Sequence, residues 1–418
     1  MLGIGVVALT IAACGGDDDG SPSGSSTQPP SAAAGVATPS AAQPAAPPRA
    51  VFDGAARYQG SAAFDWQVQR VDGGTKPGIA ITSDGTPVVA YMLERRGAAG
   101  FVRVASLTDG GLQVETLQDG YLYGPLDIVA GPGGTIAVGY HNHDNEDAEV
   151  AVLDGGEWRI DRIADGGHDG WDTSLAFAAD GSLHLLGIDP AQFGSVDGVE
   201  YATLRGGAWT VEAVGSGPQP YEWGTDIAVG PDGTVHAVYF DASNRDLVYA
   251  RNDGSGWTTE PIYENGDAGR FAVIALDEEG RPHVAFVQGD ATFREEGRNS
   301  GSVVYGAFDG SAWAFESVAT LDDMVFGFEG ARRTVALALS PGGPVVAFID
   351  VSQLGLATLR DGAWGVETVL AAGDDPFQVV GLALDGDGAP FLTFSTITGN
   401  GPLDGEIWLV APVAKGAG

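Results

Sequence analysis

Two stretches bring histidines and carboxylates close together, "HNHDNED" at residues 141–147 and "GGHDGWD" at 166–172. Imidazoles beside a carboxylate suit Zn²⁺ or a similar ion, whereas carboxylates alone would suit Ca²⁺. His141, His143, Asp144, His168, Asp169 and Asp172 are the candidate ligands, and a divalent cation is the only cofactor the sequence points to. Their spacing matches no established ligand motif, and a solvated acidic loop has the same composition. A second group is aromatic: Trp171, Tyr221, Trp223, Tyr121 and Tyr123, with Asp172, Glu222 and Asp226 nearby. Exposed rings beside carboxylates grip sugars or partner side chains; the competing reading is that these rings only fill space. A third group is basic: Arg270, Arg294, Arg298, Arg332 and Arg333. Guanidinium groups take carboxylates bidentately. Here Glu295, Glu296, Asp322, Asp323 and Glu329 lie in the same stretches and would pair them internally.

The elements that position these groups repeat. From residue 64 onward an apolar strand, a Gly-centred turn and a second apolar strand recur about every fifty residues. Examples are "IAITSDGTPVVAY" from Ile79, "IAVGPDGTVHAVYF" from Ile227 and "LALDGDGAPFLTF" from Leu382. Seven copies can be read, each followed by a third strand and by a fourth such as "GGEWRIDRI" or "DGAWGVETV". Asp-Gly and Gly-Gly pairs supply the positive φ that tight hairpins need. Four antiparallel strands repeated seven times predict an all-β fold, a seven-bladed β-propeller. After "GEIWLVAPVA" no fourth strand follows, while "FDWQVQRV" at residues 64–71 has the fourth-strand pattern, so the N-terminal strand is expected to complete the last blade.

Residues that recur in every copy read as scaffold. Trp66, Trp158, Trp209, Trp257, Trp313 and Trp364 share one position, with Leu112 in the remaining repeat. The acids Glu115, Asp161, Glu212, Glu260, Glu316 and Glu367 follow on the same strands, where they are expected to discourage edge pairing. His184, His236 and His283 also coincide. What departs from the repeat lies on the face formed by the loops before each first strand and after each second strand. On a propeller that is the mouth of the channel.

Bulk properties bound the function. The net charge is −36, and Lys76 and Lys415 are the only lysines. Nucleic acid is therefore excluded as a partner, since phosphate binding needs a basic face. A single cysteine, Cys14, rules out an intrachain disulfide. The run ending Ile11-Ala12-Ala13-Cys14 resembles the lipobox of bacterial lipoproteins, although no Lys or Arg precedes it. The resemblance implies a signal peptide at 1–13 and lipidation of Cys14. Residues 14–50, Gly/Ser/Pro/Ala-rich and without an aromatic ring, read as a disordered tether, leaving 51–418 for the propeller.

Over residues 64–416 the repeats resemble the sialidase-like-repeat propellers of secreted bacterial proteins. Asp-box turns of the form Ser-x-Asp-x-Gly-x-Thr-Trp are absent, and "NDGSGWTTE" only echoes one. No motif assigns the arginine triad, tyrosine nucleophile or acid of true sialidases, so no residue is carried over as catalytic. The expectation is a monomeric, lipid-anchored propeller of the bacterial cell envelope, periplasmic or surface-exposed. It would touch the membrane only through its anchor and bind a glycan or envelope protein on its channel face. The rival expectations are a polysaccharide hydrolase or lyase and a non-catalytic assembly scaffold.

Overall fold

The computed structural model describes residues 56–58, 64–93, 99–108, 110–163, 171–189, 198–216, 224–289, 297–326, 333–372, 377–398 and 405–415. These form seven antiparallel sheets, six of four strands and one of five. Blade 1 spans residues 75–120, blade 2 122–163, blade 3 171–216, blade 4 225–263, blade 5 267–326 and blade 6 335–371. The seventh sheet joins Phe377–Leu384, Pro390–Ile397 and Gly405–Ala414 to Phe64–Gly73, with Ala56–Tyr58 on its outer edge. The first strands of the blades touch one another in a closed cycle that returns from blade 7 to blade 1. The fold is thus a seven-bladed β-propeller.

The hairpin chemistry recurs from blade to blade. Gly85, Gly181, Gly233, Gly280 and Gly388 occupy one turn position with φ between 79° and 86°, a conformation that side chains disfavour. Beside them Asp84, Asp180, Asp232, Asp277 and Asp385 accept backbone N–H groups within the same turn. Local chemistry therefore sets each hairpin before any blade meets its neighbour.

Seven buried apolar clusters hold the ring together; six draw on two adjacent blades, and the seventh joins blades 5 and 6 and takes in Trp171 and Ile188 of blade 3. Val88 and Val104 of blade 1 pack with Ile128 and Val138 of blade 2, for instance, while Ile407 and Leu409 of blade 7 pack with Ile79 and Val89 of blade 1. The core thus lies between blades, so no blade buries its own faces alone.

The repeat residues form a second, polar-aromatic stitch nearer the rim. His184 bonds the Tyr201 hydroxyl at 2.6 Å, and the Tyr201 ring meets Trp257 of the next blade edge-on, centroids 5.2 Å apart. His236, Tyr249 and Trp313 repeat the arrangement, as do His283, Tyr305 and Trp364. The fourth-strand acids have a more specific role than guarding an edge. Glu115 accepts the indole N–H of Trp158 at 3.0 Å, Asp161 that of Trp209 at 3.4 Å and Glu212 that of Trp257 at 3.2 Å, each reaching the following blade. An indole N–H half-buried at a blade interface needs an acceptor, and the neighbouring carboxylate supplies it.

Burial, followed by the nearby arginines Arg205 and Arg251, depresses His184 and His236 to about 4. In the unfolded chain these imidazoles take a proton near pH 6.5, so the stability they contribute is complete above that pH and is lost as pH falls toward 4. A His236→Gln variant should be less stable than the parent at pH 7, and by urea unfolding the gap should narrow by up to about 2 kcal/mol at pH 5. A gap independent of pH would show that His236 titrates in the fold as it does in the unfolded chain.

Candidate functional site

At the channel mouth the innermost strands of several blades carry carboxylates, and most are occupied in fastening. Asp127 of blade 2 accepts the backbone N–H of Leu175 in blade 3 at 2.8 Å, and Asp226 of blade 4 accepts that of Ile274 in blade 5 at 2.8 Å. The two bonds are one device used twice, since each acid reaches 48 residues along the chain. Asp172 sits at a bulge with φ 55° and takes the N–H groups of Gly224 and Thr225, both at 2.8 Å, tying blade 3 to blade 4. Asp172 and Asp226 were candidates for sugar contact. Instead their oxygens satisfy backbone donors of the next blade, because a first strand has no other partner on its channel side.

One arginine answers these acids. Arg333, just ahead of blade 6, donates to Asp127 at 3.2 Å and to the Thr173 carbonyl at 3.4 Å, so it bridges from blade 6 to blades 2 and 3. Its side chain is 20% exposed. Burial alone would lower its affinity for a proton, but Asp127, Asp172 and Asp226 outweigh that and hold it charged. Burial raises Asp172 and takes Asp226 up to about 7, with Asp127 adding repulsion and Arg333 opposing the shift.

The aromatic expectation needs correction. Trp171 is only 4% exposed and belongs to the buried cluster that contains Phe271, Val287 and Phe348, so it fills space and presents no face to a ligand. Its depth depends on packing from blades 5 and 6, which no local pattern announces. Arg270 likewise is buried, paired with Asp267 at 2.9 Å and laid over the Phe240 ring at 4.5 Å. His168, Asp169, Tyr221, Glu222, Trp223, Arg294 and Arg332 lie outside the described residues, as do the side chains of Tyr123 and Arg298.

Part of the histidine cluster does assemble. His141, His143 and Glu146 bring their ligand atoms within 4.8 Å of one another beside the Tyr121 ring, which meets His143 edge-on at 4.5 Å. Asp144 is not of the set: its carboxylate accepts the Tyr121 N–H at 2.9 Å. Glu146 was not among the candidates, although it stands three residues past His143 in the same stretch.

Away from the channel, clefts recur between adjacent blades. One of about 420 Å³ lies between blades 2 and 3, with Trp158 and Phe177 in its walls and Arg159, Asp154 and Glu157 at its rim. Another of about 510 Å³ lies between blades 4 and 5, with Tyr249 and Phe308 in its walls and Arg251, Arg281 and Glu260 at its rim. Pro132 and Pro231, Thr135 and Thr234, Gly181 and Gly280, and Leu204 and Phe308 are equivalent positions, so the two clefts occupy the same place in the repeat. At the same position between blades 6 and 7 only about 40 Å³ remains, among residues that include Phe64 and Trp66.

No protein-family model and no curated protein matches the chain. Solved propellers resemble it. The fucose-specific lectin from Aleuria aurantia is 17% identical, with 71% of this chain and 96% of that one covered and a TM-score of 0.47. The GH93 α-L-arabinofuranosidase of Fusarium graminearum is 14% identical, covering 69% of this chain and 92% of that one, with a TM-score of 0.48. The Trypanosoma rangeli sialidase is 12% identical, covering 79% and 59%, with a TM-score of 0.44. At such identities the likeness is one of fold and transfers no activity.

Replacing Arg333 with Met should leave three acids without their cation and lower stability by about 2–4 kcal/mol at pH 7. The deficit should shrink at pH 5, where Asp226, raised to about 7 by burial, takes up its proton, and thermal melts of both proteins at the two pH values measure this. An Arg333→Met variant as stable as the parent at pH 7 would show that the bridge is dispensable.

Proposed function

We propose that this propeller binds neutral glycans in the clefts between its blades and does so multivalently. The observation that carries the reading is the recurrence of one open cleft at equivalent positions of blades 2/3 and 4/5. Each is of a size to hold one or two sugar rings, and each combines aromatic walls with guanidinium and carboxylate groups at the rim. Flat rings pack against the C–H face of a sugar, while charged rims take its hydroxyls. A net charge of −36 turns away polyanions and leaves neutral or cationic ligands. Repetition also favours binding over turnover, since a catalytic centre gains nothing from a second copy, whereas two weak sites gain avidity on a polymer.

The hydrolase reading has one observation of its own. Asp226, held up to about 7 beside Asp127, is placed as a proton-carrying carboxyl in the channel. Arg333 lies across the space a substrate would need next to them. Part of the proposal is an envelope address, with Cys14 as the lipidated residue and the following residues as a tether that lets the clefts face a polysaccharide.

A panel of immobilised neutral glycans should capture the full chain. On such a surface Arg159→Ala, in the blade 2/3 cleft, or Arg281→Ala, in the blade 4/5 cleft, should each weaken capture by about 10²-fold. With the free sugar in a calorimeter, each substitution should lower the stoichiometry from two to one. Silence across the panel, or hits indifferent to both substitutions, would sink the reading and point to a protein partner. Turnover of a polysaccharide that disappears in Asp226→Asn would replace it with the hydrolase. Separately, Cys14→Ala should move the protein from the membrane fraction to the soluble fraction, and an unchanged distribution would remove the anchor from the proposal.

A further inference from the structure

We propose that His141, His143 and Glu146 form a zinc site with one open coordination position on the channel face of blade 2. The inference is independent of the glycan reading. Glu146 Oε2 lies 3.0 Å from His143 Nδ1 and 3.7 Å from His141 Nε2, and all three ligand atoms fall within 4.8 Å of one another. A tetrahedral ion with arms of 2.0–2.1 Å places its ligand atoms about 3.3 Å apart. The two measured edges bracket that spacing, so closing on an ion needs movements on the order of an ångström.

The scaffold around the three ligands is built to hold them. His141 is the last residue but one of the strand Ile136–Asn142, fully buried, its ring 5.3 Å from Trp171, so its orientation is fixed by packing. His143 opens the following turn, where its N–H bonds the Tyr121 carbonyl at 2.9 Å and the Tyr121 ring meets its own. Glu146 has φ 60°, the conformation that Arg245 takes, φ 64°, at the equivalent position of the blade 4 hairpin, so the turn geometry belongs to the fold. Side-chain amides order this copy further: Asn142 and Asn145 both donate to the buried Glu149, at 3.0 and 2.7 Å. The N–H of Asp144 returns to Asn142 and that of Asp147 to Asn145. Arg162 then clamps Asp147. The consequence of the unusual φ is that the Glu146 carboxylate folds back over the two imidazoles.

The donor set turns away the hard ions and admits Zn²⁺, or Fe²⁺ by the same three ligands. Two imidazoles and one carboxylate suit Zn²⁺, while Ca²⁺ takes six to eight oxygens and Mg²⁺ keeps most of its waters. Trp171 and the strand close the His141 side, whereas His143 and Glu146 are 26% and 34% exposed, so the fourth position opens to solvent. A water or a ligand oxygen would fill it there.

The test uses the full chain, stripped with a chelator, dialysed, and titrated calorimetrically with zinc chloride. One ion per chain should bind, and affinity should fall by more than about 100-fold in both His143→Ala and Glu146→Gln, beyond the 10–100-fold that outer hydrogen-bond partners of a metal are worth. Asp144→Asn should bind as the parent does, and the melting curves of the apo forms show that all the variants fold. Calcium chloride should give no saturable heat. Absence of stoichiometric uptake would reduce the cluster to a close Glu146–His143 contact and overturn the proposal. So would uptake that is equally tight in His143→Ala and Glu146→Gln.

Discussion

Every part of this molecule depends on how one blade is tied to the next. A four-stranded sheet with two apolar faces is unstable in water, and the ring answers this by placing its apolar clusters between blades. At the inner end the channel leaves first-strand N–H groups without sheet partners, and Asp127, Asp172 and Asp226 satisfy them across the blade boundary. Three carboxylates drawn into a narrow channel repel one another, and Arg333 offsets that repulsion. One physical problem, unpaired backbone around a central hole, thus accounts for the acids, for the raised proton affinity of Asp172 and Asp226 and for the arginine that meets them.

The same fastening decides where a ligand can be met. Trp171 fills space between blades and Arg333 bridges the channel, so neither offers a free face to a ligand. Between blades 2 and 3 and between blades 4 and 5 gaps remain at equivalent positions, walled by Trp158 and Phe177 in one and by Tyr249 and Phe308 in the other. Between blades 6 and 7 the gap is nearly closed where Phe64 and Trp66 line it. Whether a gap is open therefore depends on the side chains at its edges and not on the fold.

This explains what could be read in the sequence. Turn glycines, alternating strands and the recurring tryptophans are local features with a fixed period, and they were enough to give the blade number and the strand count. The histidines at 184, 236 and 283 were legible as scaffold because they recur. Distant partners were not legible. Arg333 meets Asp127 from 206 residues away, and Trp171 is covered by Phe271 and residues of blade 6, so neither contact leaves a mark on its own segment. Glu146 was missed for a different reason. Its role depends on a positive φ in a turn whose sequence, Asn-Glu-Asp, looks like any solvated loop.

Repetition itself separates two kinds of site. A feature that recurs at one position in several blades arises from the blade boundary, and under the proposed function a ligand there would be held by number more than by strength. A set of donor side chains present once among the described residues has no such origin. The turn at residues 142–147 hydrogen-bonds itself through two asparagines, a buried glutamate and an arginine clamp, and among the described residues no other group of histidines and acids has ligand spacing. The blade boundary does not require any of those contacts. The blade 4 hairpin carries the same positive φ at Arg245, so the turn conformation belongs to the fold, and what is particular to blade 2 is the two imidazoles and the carboxylate it brings together, the donor set of the proposed zinc site.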